Sequence, residues 1–137
     1  QTEINSARLI VDILSILLQD ITESREEKYP GRLKMTEVKK YLDEHYTEKF
    51  SLDELSERFF ISKYHLSREF HQYYGTTLNQ YVISRRLTRA KKLLRFSVLT
   101  LDEIARSCGF YDASYLNRQF KNSEGITASE FRKKWKN

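Results

Sequence analysis

The chain has 137 residues, enough for one domain with a real core and too few for two full-sized ones. Its 39% hydrophobic and 13% aromatic content excludes a disordered chain, and the scarcity of Gly (4) and Pro (1) disfavours sheet-rich folds, which need many tight turns. The net charge of +5 is uneven: residues 1–50 carry 8 basic and 10 acidic side chains against 16 and 9 in the remainder, so a polyanion is expected to bind the second half.

The single cysteine, Cys108, excludes an internal disulfide and a thiolate zinc cluster, and fits a reducing cytoplasm. The most apolar stretch, Leu9 to Leu18, is broken by Asp12 and Ser15 and is shorter than the roughly 20 residues that span a bilayer, so no membrane association is expected. The start at Gln1, with no basic leader, reads as a fragment cut from a longer protein.

In chain order, Ile10, Ile13, Leu14, Leu17, Leu18 and Ile21 predict an amphipathic helix over residues 4–21, with Leu9, Val11 and Ile16 widening its stripe. So broad an apolar surface needs a partner, and a second copy of the chain is one candidate. Tyr29-Pro30-Gly31 signals a turn and sets the expected boundary between residues 1–30 and a main domain, 31–137. Val38, Tyr41, Leu42 and Tyr46 then predict a helix from Met35 to Tyr46.

Four capping-box patterns follow: Ser51 with Glu54, Thr77 with Gln80, Thr100 with Glu103, and Thr127 with Glu130. Ser62 and Asp112 are two further N-caps, and Gly75 and Gly125 are placed to end the helices those caps begin. Seven helices are predicted after Pro30, in an all-α fold.

The chain also repeats itself. Ser51-Leu-Asp-Glu54 recurs as Thr100-Leu-Asp-Glu103, and at an offset of 50 Leu66, Arg68, Phe70, Gly75 and Thr77 match Leu116, Arg118, Phe120, Gly125 and Thr127. Each copy reads as a short helix, a turn (Phe60-Ile61; Gly109-Phe110-Tyr111) and a longer helix, the layout of a helix-turn-helix. The copies span about residues 51–75 and 100–125, a linker helix covers about 77–96, and a final helix covers about 127–135.

In the second helix of each copy, Leu66 and Phe70, or Leu116 and Phe120, form an apolar face. The other face carries Tyr64, Ser67, Arg68 and His71, or Ser114, Asn117, Arg118 and Lys121, side chains able to hydrogen-bond base edges. The linker segment holds Arg85, Arg86, Arg89, Lys91, Lys92 and Arg95 without one acid, whereas an ordinary solvated helix mixes signs. Phosphate contact is therefore expected from part of it, with Leu87, Ala90, Leu93 and Leu94 as core.

Residues 51–134 resemble the DNA-binding domain of the AraC family, most closely at Ile104-Ala-Arg-Ser-Cys-Gly-Phe110, at Asp112-Ala-Ser-Tyr-Leu-Asn-Arg-Gln-Phe-Lys121 and at Gly125-Ile-Thr-Ala-Ser-Glu-Phe-Arg132. The resemblance implies two helix-turn-helix units joined by a long helix, one subunit reading two successive major-groove segments. Carried over by position, it puts base contacts at Lys63, Tyr64, Ser67, Arg68, Ala113, Ser114, Asn117 and Arg118. Ser62, His71, Arg85, Arg86, Arg89 and Lys121 are the phosphate-contact candidates. Ala128 departs from the family pattern, which usually has Pro there. The resemblance also implies an effector-binding or dimerisation domain ahead of this segment, with residues 1–24 as its trailing helix.

No catalytic, metal or cofactor site is expected. The three histidines include His65 and His71, six apart and on different sides of a helix, and no glycine-rich phosphate loop is present. The reading is a bacterial, cytoplasmic, nucleoid-associated transcription regulator bound to double-stranded DNA, with RNA polymerase as a further partner. Its rival is a helical interaction domain docking on polymerase or another regulator, which steep salt dependence of DNA binding would exclude.

Overall fold

A computed structural model describes residues 28–135. Among them are seven α-helices and no strand: α1 (Lys28–His45), α2 (Leu52–Phe59), α3 (Lys63–Tyr74), α4 (Leu78–Phe96), α5 (Leu101–Cys108), α6 (Ala113–Glu124) and α7 (Ala128–Trp135). The amphipathic helix expected over residues 4–21 lies outside the described residues.

The helix starts follow from local chemistry. Ser62 and Asp112 each take extended backbone and accept an amide N–H three residues on, from His65 at 3.2 Å and Tyr115 at 2.9 Å. Thr77 with Gln80, Thr100 with Glu103, and Thr127 with Glu130 close reciprocal boxes. Ser51 makes only its own half, accepting from the Glu54 amide, so the expected fourth box is a simple cap. Gly75 and Gly125 end α3 and α6 in the left-handed region, at φ 72° and 86°.

One boundary differs from expectation. The backbone is already helical at Lys28, so α1 runs through Tyr29-Pro30-Gly31 where a turn was expected. The proline ring fixes φ near the helical value, so a helix can continue past Pro30, and the residues after it keep their own amide donors.

Two separate cores form on the two halves of α4. Leu78 and Val82 join Met35, Val38 and Leu42 of α1, Leu55 of α2, and Leu66 and Phe70 of α3. Leu87, Ala90 and Leu94 join Ile104, Ala105, Cys108, Phe110, Leu116, Phe120 and Ala128. Each helix-turn-helix thus has its own interior, and α4 belongs to both. Its 19 residues span about 28 Å at about 1.5 Å per residue.

Candidate nucleic-acid interface

In both copies the same pair of apolar residues anchors the longer helix. Leu66 and Phe70 in α3, and Leu116 and Phe120 in α6, are fully buried. Burial of that face leaves the opposite face in solvent, because residues half a turn away point outward. On α3 the outer face presents Lys63, Tyr64, Ser67, Arg68 and His71, all exposed. On α6 it presents Ser114, Arg118 and Lys121.

The two arginines are steadied alike. The Arg68 guanidinium lies 5.9 Å from the Tyr64 ring centroid, and that of Arg118 lies 5.2 Å from Tyr115. Their platforms differ: Tyr64 is 69% exposed, whereas Tyr115 packs on the second core beside Phe110. Planar, fully charged groups held over rings in this way lose little freedom on meeting a guanine edge or a phosphate.

The other candidates have definite positions. Lys63 is ion-paired to Asp53 of α2 at 2.8 Å, a hydrogen bond that raises its pKa. The equivalent Asp102 of α5 accepts the Ala113 amide N–H at 3.0 Å, so the repeated aspartate holds the first turn of the longer helix in both units. Ala113 is half-buried and offers only a methyl edge. Ser62 is occupied as a cap through its lone pair, leaving its O–H to donate. The repeated Leu-Asp pair is the signal in the sequence that marks Asp53 and Asp102 as equivalent.

Asn117 is turned elsewhere. Its side-chain oxygen accepts the amides of Ala128 at 2.9 Å and Ser129 at 3.3 Å, closing the start of α7. The residue is half-buried on the flank of α6 that faces α7, beside the exposed row of Ser114, Arg118 and Lys121.

The linker helix departs most from expectation. Arg86, expected at phosphate, is only 9% exposed; its Nε donates to the Tyr46 carbonyl at 2.6 Å and its Nη2 to that of Glu48 at 2.8 Å. Burial lowers its pKa. Such a group has no path to a phosphate, and its phosphate assignment is corrected to an internal one. Arg85 is half-buried, paired with Asp43 at 3.3 Å and set over the Tyr46 ring. Arg89 is exposed but donates to both the carbonyl and the hydroxyl of Ser107. Lys91 pairs with Glu124 at 2.8 Å, and Arg95 lies 3.9 Å over Trp135. Much of the basic run therefore binds its own fold.

Arg132, given no role by the sequence, donates from all three guanidinium nitrogens to the carbonyls of Leu94, Ser97 and Leu99, closing the C-terminal end of α4. Burial pushes the Cys108 thiol up to about 11, which leaves it a small apolar core residue. Among the described residues, no group of three or more His, Cys, Asp and Glu is arranged to hold a metal, and no helix is long and apolar enough to cross a membrane.

Comparison with known proteins gives the site a context. A family described as "Helix-turn-helix domain" matches residues 55–134. The chain is 31% identical over 134 residues to the uncharacterized HTH-type transcriptional regulator YijO of Escherichia coli, covering 97% of this chain and 47% of that one, so it spans less than half of that relative. In structure it is similar to the DNA-binding domain of AdpA, solved in complex with a target DNA, with a TM-score of 0.69, 29% identity, and 74% of this chain and 91% of that chain covered. A transcriptional regulator of Chromobacterium violaceum described as AraC-type superposes with a TM-score of 0.67 at 28% identity, covering 79% and 96%.

Proposed function

Because the chain belongs to the AraC-type family of helix-turn-helix domains, we propose that it binds double-stranded DNA sequence-specifically and regulates transcription without catalysis, reading two successive major-groove segments through α3 and α6. The observation that carries this reading is the matched pair of exposed arginines, Arg68 and Arg118, each over a tyrosine on a helix whose opposite face is buried. Lys63, Tyr64, Ser67, Arg68, Ser114 and Arg118 are the base-reading set, with Ala113 supplying apolar contact. His71, Lys121, Ser62 and the exposed edge of Arg89 face phosphate. Asn117 acts by holding α7 against α6.

Arg68→Ala is expected to weaken binding to a selected duplex by roughly 1–3 kcal/mol and to change binding to random duplex far less. Equal losses on both would make Arg68 a phosphate contact; no loss on either would remove it from the interface. Binding by wild type should fall steeply between low and physiological salt as counterions are released, and flat salt dependence would favour a protein-docking role instead.

The wider reading is that the chain works in a bacterial cytoplasm, bound at the nucleoid, as the DNA-binding end of a longer regulator whose preceding domain takes the effector. RNA polymerase is the proposed further partner. Residues 4–21 are the proposed homodimer contact, and charged substitutions at Leu14 and Leu17 should abolish self-association measured by ultracentrifugation.

A further inference from the structure

Arg86 sits in the middle of α4 with its charge inside the protein, and the groups around it come from both helix-turn-helix units. The carbonyls of Tyr46 and Glu48, which accept from its Nε and Nη2, belong to the segment joining α1 to α2, on the side of the first core. The Phe110 ring, 5.9 Å from the guanidinium carbon, belongs to the turn of the second unit and to the second core. Neighbouring arginines do not bridge in this way: Arg85 holds Asp43 and Tyr46 on the first side, and Arg89 holds Ser107 on the second.

Gly109 completes the junction. Its φ of +103° favours glycine, and a Cβ there would lie 2.7 Å from Arg86 Nε and 2.9 Å from the Thr47 carbonyl oxygen. The turn of the second unit thus presses directly on the loop of the first, with Arg86 between them.

An apolar side chain of similar volume would fill this space without the desolvation of a cation, so a buried arginine satisfied by carbonyls needs a reason other than packing. Its planar fork supplies one, because two donors in fixed geometry admit a narrow range of positions for the loop they hold. Apolar contacts along α4 would tolerate small rotations of either unit about the helix. Directional bonds across the junction would not.

We propose that Arg86 is a positioning residue that fixes α3 relative to α6, and thereby sets the spacing of the two DNA segments one chain can engage. The proposal rests on the reading of α3 and α6 as the DNA-reading helices. One inserted base pair turns the second segment by roughly 35° and shifts it by about 3.4 Å, so a rigid junction should reject it.

The geometry is testable without DNA. Nitroxide labels at Gln72→Cys and Asn122→Cys, exposed positions that are equivalent in the repeat, report the α3 to α6 distance by pulsed electron resonance. Cys108 is buried and its thiol is pushed up to about 11, so it stays unlabelled. The unsubstituted junction should give one narrow distribution, Arg86→Met a shifted or broadened one, and Arg86→Lys an intermediate one. On duplexes, Arg86→Met should bind the two-segment site about tenfold more weakly, lose its preference over a one-base-pair insertion, and keep its affinity for a single segment. If Arg86→Met does not fold, Arg86→Lys and Gly109→Ala decide by the same readings. An unchanged distance distribution with unchanged spacing preference overturns the proposal, as does an equal loss on one-segment and two-segment duplexes. A distance response to Arg86 in a chain that binds no duplex would uphold the positioning role and remove the DNA reading instead.

Discussion

Phe60 takes a left-handed backbone, φ 54°, with its ring 89% exposed, at the point where the second unit has Gly109. A side chain at that φ costs roughly 1–2 kcal/mol, and the exposed ring recovers little by packing. Glycine would remove the strain while adding some freedom to the unfolded chain. Phe60→Gly should therefore stabilise the free domain by about 0.5–1 kcal/mol in denaturant titration; a loss of stability would mean that the ring is held by contacts the backbone geometry does not reveal. Asn117 invites the opposite prediction. Its oxygen satisfies two amides at the start of α7, so Asn117→Ala should destabilise by about 1 kcal/mol while Asn117→Asp, which keeps the acceptor, should not. A base-reading role alone would leave the melting temperature of the free domain unchanged in both variants.

At the level of elements, helix ends and helix pairs carry the specificity of the fold. Thr100 and Glu103 close both halves of a box at α5, the short helix that positions α6, and Thr100→Ala should cost about 1 kcal/mol. The Lys91–Glu124 pair ties α4 to the end of α6, and the hydrogen bond from Lys91 is the main cause holding the Glu124 carboxyl below its usual range. A carboxyl depressed in the folded state contributes its stability above the unfolded pKa and loses it as pH falls through the folded one. The stability difference between wild type and Glu124→Gln should thus be constant near neutrality and shrink as pH falls below about 4.5. Both partners are about a third exposed, which limits the effect to at most about 1 kcal/mol. A difference that grows on acidification would contradict the pairing.

Across the whole molecule, what could be read from the sequence was what depends on near neighbours. Caps three residues apart, glycine stops and the buried Leu and Phe pairs of the repeat are local patterns, and the structure reproduces them with one box reduced to a cap at Ser51. The repeat also exposed the outward rows of α3 and α6. Arg86 was misplaced because its acceptors lie 40 and 38 residues back in the chain, on a loop that only the packing of α1 against α4 brings near. A run of cations looks the same in sequence whether it faces solvent or its own fold, and here Asp43, Ser107, Glu124 and Trp135 each take one from a distant element. Asn117 was expected at a base edge for the same reason: an amide side chain suits base edges and helix starts equally well, and the start of α7 that it holds lies 11 and 12 residues further on.

Selection of bound duplexes from a random pool, followed by footprinting, tests the central claim most directly. Two short motifs in the same direction, about ten base pairs apart and protected together by one chain, are the predicted result. A single motif, or a footprint that Arg68→Ala and Arg118→Ala leave unchanged, would contradict it.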